Sequence, residues 1–203
     1  MVRTDRKPRR RLDPDSRRAD ILEAAADAFA SRPYGQVSIS SIAADAGASN
    51  ALLYRYFANK EELYTAVVRL AIAELLAGQA AALAQLHVGV PVRDRVRAAT
   101  IVYLDHIADH PDAWAMPMRQ PGGEPPAAAA LRADARSAYV GHLTTLLSDN
   151  AGARREYALW GYLGFVDTAC LRWVEKGCPD DDRGPLVEAA LGALEGALGD
   201  WAA

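Results

Sequence analysis

The spacing of apolar side chains predicts an α-helix near the start of the chain. Between positions 14 and about 31, apolar residues recur at i, i+4, i+7 and i+8, which is one helical face: Ile21, Ala25, Ala28 and Phe29. Asp13 followed by Pro14 favours a helix start, because an acceptor side chain precedes a proline at the first helical position. Pro33 and Gly35 are expected to end this helix.

Apolar spacing and capping residues predict helices along the rest of the chain. Two short helices begin after Ser38 and Ser49, on either side of Gly47. A fourth begins after Asn59, with Glu62 completing a capping box, and extends to about position 86. Further helices are predicted over about 92–108, 127–148, 153–176 and 185–201, whereas the Pro- and Gly-rich segment 112–126 is predicted to be irregular. We therefore expect an all-α protein of eight or nine helices without strands.

The predicted buried faces of the two middle helices follow from the same spacing. The fourth helix is expected to bury Leu63, Val67, Leu70 and Ala71. The fifth is expected to bury Val96, Ile101, Leu104 and Ile107.

Composition supports the helical assignment, and the distribution of charge adds a partner. The chain has 203 residues, 51% of them hydrophobic and 24% charged, and its 42 alanines are the best helix formers. The net charge of −3 hides an asymmetry, since residues 1–60 contain 11 basic and 7 acidic side chains and residues 61–203 contain 12 and 19. Residues 1–12 are predicted to be a flexible basic arm that suits a polyanion, with a solvated tail as the alternative.

The sequence favours a cytoplasmic protein. Its start is basic without an apolar stretch, so no secretory signal is expected, and the uncharged run over 75–92 contains too many Gly, Gln, His and Pro residues for a membrane helix. Cys170 and Cys178 are too few for a disulfide scaffold and are expected to be buried or incidental thiols, with a redox sensor as the alternative.

The two short helices around Gly47 have the pattern of a helix-turn-helix. Small Ala43 lies where the helices would cross, and the packing positions are apolar: Ile42, Ala46, Leu53 and Tyr56. The second helix of such a pair can lie in the major groove, which is roughly 12 Å wide. A helical hairpin in an ordinary core is the alternative.

The outward face of the second helix carries side chains that can read base edges. Asn can bond adenine, Arg can bond guanine or phosphate, and apolar side chains can touch a thymine methyl. The candidates are Ser49, Asn50, Ala51, Leu52 and Arg55. Hydroxyl and ammonium groups suited to phosphate oxygens flank them at Ser38, Ser40, Tyr54 and Lys60.

The run from Ala43 to Leu63, with its Leu-Tyr-x-Tyr-Phe-x-x-Lys-Glu-x-Leu core, resembles the DNA-binding signature of the tetracycline-repressor (TetR/AcrR-type) regulators. The likeness spans about residues 17–70. It implies backbone contacts at Ser38 and Ser40, base-facing positions at Asn50, Ala51 and Leu52, and phosphate contacts at Tyr54, Tyr56 and Lys60. Arg55 falls on the DNA side, with base or phosphate left open. Ala51 and Leu52 depart from the small or polar residues frequent in the family, so fewer donors remain for base reading.

The resemblance implies an N-terminal three-helix domain over 13–60 and a ligand-binding and dimerisation domain over 61–203. Small and large residues on the last two helices suit a four-helix dimer interface: Trp160, Gly161, Gly164, Leu191, Leu194 and Leu198. Candidates for a cavity that binds a small apolar or aromatic effector are the aromatic, methionine and histidine residues of the middle helices: Tyr103, His106, Trp114, Met116, Met118, Tyr139, His142, Phe165 and Trp173.

The leading hypothesis is a homodimeric transcriptional regulator, most simply a repressor, that binds a palindromic operator and is released by a small molecule. We expect no cofactor and no metal, although His106 and His110 have a metal-compatible spacing. An all-helical enzyme using His106, His142 or Asp109 is a weaker hypothesis, since no nucleophile–base pair or phosphate loop is present. A ligand-binding protein without DNA binding is the third, suggested by Ala51 and Leu52.

Overall fold

The computed structural model describes residues 14–147 and 152–199, and every regular element among them is helical. The predicted arm over 1–12, the cap Asp13 and the predicted helix ends at 148 and 201 lie outside the described residues. The nine α-helices of the described residues are α1 (Pro14–Ser31), α2 (Ile39–Asp45), α3 (Asn50–Tyr56), α4 (Lys60–Ala84), α5 (Val92–Asp109), α6 (Pro111–Arg119), α7 (Pro126–Leu146), α8 (Ala153–Glu175) and α9 (Arg183–Leu198). Short 3₁₀ turns at Tyr34–Gln36 and Asp180–Asp182 precede α2 and α9. The all-α prediction is confirmed.

The three predicted N-caps fix the starts of α2, α3 and α4. Ser38 accepts a hydrogen bond from the Ser41 amide, and Ser49 accepts one from the Leu52 amide. The Asn59 side chain accepts from the Glu62 amide at 2.8 Å. Each cap satisfies a backbone donor that the helix itself cannot. The reciprocal half of the capping box is displaced by one residue, because the Glu62 carboxylate accepts from the Ala58 amide at 2.7 Å rather than from Asn59.

The prediction of an irregular segment over 112–126 is wrong for its first half, which forms α6. Pro111 occupies the first position of α6, where a missing amide hydrogen costs nothing. Pro117 interrupts one hydrogen bond near the end of this short helix. Trp114 and Ala115 are buried against the C-terminal core, and this burial offsets the loss.

Two hydrophobic cores divide the described residues. The first is formed by α1, α2, α3 and the first turns of α4, and Ala128 of α7 is fully buried within it. The second joins α5, α6, α7, α8 and α9. Helix α4 runs from the first core towards the second and packs on α1, α5 and α7, so that α4 and α7 connect the two.

Two residues predicted to be buried are instead exposed. Leu70 on α4 and Ile101 on α5 are each 43% exposed, whereas Val68, Ala99 and Thr100 are buried. The helices turn these neighbouring positions inward because each contacts several partners, so its buried stripe is wider than one heptad spacing suggests.

By length and composition alone, α4 is apolar enough to cross a membrane, with 17% of its most apolar window buried. One such helix is weak evidence for a membrane span. In this fold α4 instead packs against three helices and buries Gln79, whose amide donates to the Ala99 carbonyl at 3.1 Å.

Candidate nucleic-acid interface and ligand cavity

The turn between α2 and α3 has a backbone shape that glycine favours. Gly47 has a φ of 59°, in the left-handed region that side chains with a Cβ rarely adopt. The Ala48 amide donates to the Ala43 carbonyl at 2.8 Å and closes the turn. The Arg17 guanidinium donates to the Ala46 carbonyl at 3.3 Å, so α1 braces the turn from behind. Ile42 and Leu53 are fully buried where α2 and α3 cross.

Helix α3 presents the predicted base-reading residues on its outer face. Asn50, Ala51, Tyr54 and Arg55 are exposed, and Leu52 is half-buried. The Asn50 amide donates to the Ser40 hydroxyl at 2.9 Å, which ties the start of α3 to α2 and leaves the Asn50 carbonyl oxygen free to accept. Arg55 forms no ion pair with any residue that the structure describes. The two helices therefore bring these side chains to one surface.

The predicted phosphate-contacting residues divide into exposed and structural groups. Ser38 and Ser49 are exposed helix caps, and Tyr54 is 51% exposed. Tyr56 is half-buried and packs on the first core.

Lys60 has a structural role that the sequence did not reveal. Its ammonium donates to the carbonyls of Tyr34 and Val37 at 2.9 and 3.1 Å. The same ammonium lies 4.2 Å from the centre of the Tyr34 ring, a cation–π contact. Because an ammonium has three N–H groups, one remains for a phosphate.

A cavity of about 200 Å³ lies in the C-terminal part, lined by α4, α5, α6, α7 and α8. Five of the nine residues predicted from sequence line it: Tyr103, His106, Trp114, Met118 and Tyr139. The other side is formed by apolar residues of α4, which the prediction did not include: Ala71, Ile72, Leu75 and Leu76.

Four residues predicted to line the cavity lie elsewhere. Trp173 is 2% exposed in the second core, where its indole donates to the Pro179 carbonyl at 3.0 Å. Phe165 is 39% exposed on the outer face of α8, and His142 is exposed on α7. Met116 is half-buried on α6 but outside the lining. Helical phase explains these errors, because neighbouring positions on one helix point in different directions.

The polar groups of the cavity are joined by hydrogen bonds. The Trp114 indole donates to the Tyr103 hydroxyl at 2.8 Å, and this hydroxyl donates to Asp167 Oδ1 at 3.1 Å. Asp167 also pairs with Arg136. Asp167 and Arg136 were missed in the sequence, although a single acidic side chain on the otherwise apolar inner face of α8 was a usable signal.

A second polar group in the cavity is formed by hydroxyls. Thr100 donates to the Val96 carbonyl at 2.8 Å and lies 3.1 Å from the Tyr162 hydroxyl. Tyr162 is also hydrogen-bonded to Tyr139. Burial raises the pKa of Tyr103 and Tyr139 well above the usual value, so both hydroxyls stay neutral donors.

His106 lines the cavity in its neutral form, because burial lowers its pKa and the nearby His110 lowers the pKa further. The two rings are 5.7 Å apart. Among the described residues, no group of three His, Cys, Asp or Glu side chains is placed to hold a metal ion. The pair therefore belongs to the packing of α5.

His106 should make the protein less stable in acid. Since its pKa is lower in the folded state, the benefit of a neutral His106 is complete above about pH 6.5 and is lost as the pH falls through that value. We expect His106→Gln to lose part of the decline in melting temperature between about pH 7 and pH 5. His142→Gln, on an exposed histidine of α7, is the control and should follow the unaltered protein. Parallel curves for all three proteins would contradict the assignment.

Both cysteines are free thiols. Cys170 is fully buried, and burial raises its pKa to about 12. Cys178 is half-buried between α8 and α9, and burial raises its pKa as well. A raised pKa leaves little reactive thiolate at neutral pH.

The predicted dimer residues separate into exposed and buried groups. Trp160 is 41% exposed, and Gly161 and Gly164 are exposed beside it on α8. Leu191 and Leu194 have no exposed surface, so the prediction that they face a partner is wrong. They pack inside the chain because α8 and α9 bury their larger side chains against each other. Leu198 is half-buried and packs on the same core.

The comparisons with known proteins agree with this geometry. Residues 21–67 match the family model of the bacterial regulatory proteins, tetR family. The HTH-type transcriptional activator FasR of Mycolicibacterium smegmatis is 37% identical over 97 residues, which cover 48% of this chain and 43% of FasR. The HTH-type transcriptional repressor SCO4008 of Streptomyces coelicolor is 33% identical over 101 residues, covering 49% of this chain and 47% of that protein. The chain thus matches less than half the length of either relative.

The fold extends the likeness to the whole chain. The crystal structure of a TetR-like transcriptional regulator from Rhodococcus sp. RHA1 superposes with a TM-score of 0.77 at 22% identity, covering 94% of this chain and all of that one. The resemblance stated from sequence is confirmed in its N-terminal domain by the family match, and in its all-helical architecture by the fold.

Proposed function

Because residues 21–67 form a tetR-family domain and the chain has the fold of tetR-family regulators, we propose that this protein is a DNA-binding transcriptional regulator. It acts as a homodimeric repressor on a palindromic operator and is released by a small molecule. The observation that carries the proposal is the α2–α3 unit, in which a braced glycine turn supports an outer face of exposed polar side chains. A regulator of this kind works in the cytoplasm.

The DNA contacts are assigned from exposure. Asn50, Ala51, Leu52 and Arg55 face the bases, and sequence selection rests on one amide, one guanidinium and methyl contacts. Positions without donors leave more of the selection to DNA shape. The backbone is contacted by hydroxyls and one ammonium: Ser38, Ser40, Ser49, Tyr54, Tyr56 and Lys60.

The dimer uses the exposed face of α8. Tyr157 at 74%, Trp160 at 41% and Phe165 at 39% are large side chains exposed beside the small Gly161 and Gly164. Such an apolar face, with small residues that permit close approach, suits packing against a second copy of the same helix. A two-fold dimer would present two α3 helices to half-sites about 34–36 Å apart.

Release requires that the ligand favours a conformation in which the two α3 helices no longer fit the operator. Helix α4 lines the cavity at one end and packs in the N-terminal core at the other. Helix α7 makes a second connection, since Arg132 and Arg136 line the cavity and Ala128 is buried in the N-terminal core. Both helices can transmit a change in cavity shape.

The experiment that tests this function is selection of genomic DNA fragments by the purified full chain. We expect enrichment of a palindromic site, bound by two chains in sedimentation analysis. A protein that retains no fragment at low ionic strength contradicts DNA binding and favours the ligand-binding protein without DNA recognition that Ala51 and Leu52 suggest.

Arg55→Ala is expected to weaken operator binding by roughly tenfold to a hundredfold, the usual value of about 1–3 kcal/mol for a specific arginine contact. Quantitative gel shifts with operator variants measure it. A base contact relaxes selection at one position, whereas a phosphate contact weakens all sites equally and lowers the salt dependence. Arg95→Ala removes an equally exposed arginine from α5 and should leave binding unchanged. Equal affinities for both variants would remove Arg55 from the interface.

A further inference from the structure

The ligand cavity contains a buried carboxylate held in place from two sides. Among the described residues that line the cavity, Asp167 is the only carboxylate, and it is 9% exposed. The Tyr103 hydroxyl donates to its Oδ1, while its Oδ2 pairs with Arg136. Tyr103 is itself fixed by the Trp114 indole. The carboxylate is therefore positioned before any ligand arrives.

Aromatic rings surround this carboxylate. Tyr103, Trp114, Tyr139 and Tyr162 all line the cavity, and the rings of Tyr103 and Trp114 meet edge to face with their centres 6.1 Å apart. The face of an aromatic ring carries partial negative charge and attracts cations, most strongly when water is excluded. A carboxylate among aromatic rings is an environment that favours a positively charged group.

Arg136 supplies that positive charge in the unliganded protein, and it can leave at little cost. Its side chain is 43% exposed, whereas the Asp167 side chain is 13% exposed. A ligand cation that took its place would let the guanidinium return to water, and the buried carboxylate would stay paired. The exchange replaces one ion pair by another without leaving a charge uncompensated.

An anionic ligand faces the opposite balance. It would have to take Arg132 or Arg136, the two arginines of the lining, from a carboxylate. Arg132 pairs at 3.1 Å with Glu124, whose side chain is 11% exposed. Either exchange leaves a buried carboxylate without its partner, which is strongly unfavourable. The arrangement of exposed arginines and buried acids thus selects against anions.

The size of the cavity limits the ligand. An engineered apolar cavity of about 150 Å³ accommodates benzene, and the cavity here measures about 200 Å³. One ring with a short side chain fits this volume. The apolar wall of α4, with Ile72, Leu75 and Leu76, is a surface for the ring.

We propose that the effector is a small amphiphilic cation, one aromatic or alicyclic ring bearing an ammonium group, which displaces Arg136 from Asp167. This assignment rests on the proposed function, since it names the ligand of the same regulator. Loss of the Arg136–Asp167 pair removes a link between α7 and α8. Helix α7 then shifts more freely, and it carries Ala128 in the N-terminal core.

The test compares three probes of similar size on the full chain without DNA, by titration calorimetry at pH 7. Phenethylammonium is the cation, 2-phenylethanol its neutral isostere and 3-phenylpropanoate the anion. We expect the cation to bind at least about tenfold more tightly than the alcohol, and the anion to bind most weakly. Equal binding of all three, preference for the anion, or binding of none overturns the proposal.

Two variants move the cation affinity in opposite directions. Asp167→Asn should reduce it to that of the alcohol, whereas Arg136→Gln removes the internal competitor and should raise it about tenfold. The alcohol should bind both variants as it binds the unaltered protein, and Arg95→Gln is the matched surface control. Thermal melting establishes that each variant folds. If Arg136→Gln does not fold, Arg136→Lys replaces it, and an Asp167→Asn variant that keeps the cation preference overturns the proposal.

A separate gel shift tests the effector role. Phenethylammonium should release the operator found by fragment selection, and the alcohol at equal concentration should not. Failure of the chain to bind any DNA contradicts the proposed function but leaves the calorimetric result standing. Binding of the cation without release of a bound operator overturns its role as effector.

Discussion

Replacing Leu53 by alanine is expected to lower the free energy of unfolding of the N-terminal core by about 3 kcal/mol, within the range for buried leucines. Leu53 has no exposed surface and lies in the core that joins α2 and α3, with Ile42, Ala43 and Phe57. The caps and the glycine turn fix the backbone of both helices, so the void left by the leucine cannot close fully. The variant should lose operator binding because α3 is no longer held in place.

Leu52→Ala is the matched control for this prediction. It removes the same atoms from the adjacent residue of α3, but Leu52 is half-buried and belongs to neither core. Its cost should be about 1 kcal/mol or less, and any loss of DNA affinity then reports a contact rather than unfolding. Hydrogen exchange of the α1–α3 amides measures the stability, because all four tryptophans lie beyond residue 113. Equal destabilisation by the two variants would contradict the packing described for α3.

The N-terminal domain was predictable from sequence because local interactions determine it. Ser38, Ser49 and Asn59 each accept a hydrogen bond from an amide three residues later. Gly47 occupies a backbone conformation that strongly favours glycine. These interactions span few residues, so residue type and spacing are sufficient to locate α2, α3 and the turn between them.

Helix α6 and the buried faces of α4 and α5 depend on long-range packing. Pro117 argues against a helix locally, and burial of Trp114 between distant segments overrides it. Leu70 and Ile101 are as apolar as their buried neighbours. Which side of each helix turns inward is determined by the positions of other helices, and spacing alone does not contain that information.

The same limit applies to the candidate ligand and dimer residues. Leu191 and Leu194 were assigned to a partner, whereas the chain itself buries them. Aromatic residue type located five lining positions but could not separate Tyr139, which lines the cavity, from Phe165, which faces outward. Asp167 was missed because a single acid on a helix is ordinarily a surface residue. Its role depends on Tyr103 and Arg136, which come from two other helices.

Deleting residues 1–12 is expected to weaken operator binding more at high salt than any single substitution in α3. The segment contains six basic side chains, Arg3, Arg6, Lys7, Arg9, Arg10 and Arg11. Each phosphate that a protein neutralises contributes about 0.9 to the slope of log affinity against log salt. If half of these side chains contact phosphates, a dimer loses about six contacts, which corresponds to roughly a thousandfold change in affinity between 50 and 200 mM salt.

A charge-neutral arm separates electrostatics from length in this experiment. A full-length variant with the six basic residues replaced by glutamine should match the deletion in both affinity and slope, because the contribution is sequence-independent and resides in the charges. The Arg55→Ala protein provides the contrast, since one lost contact changes the slope by at most about one unit. Affinity is measured by fluorescence anisotropy with operator and with scrambled DNA at four salt concentrations. A deletion that binds operator with the slope and affinity of the full chain would show that the basic excess at this end of the chain does not act on the DNA.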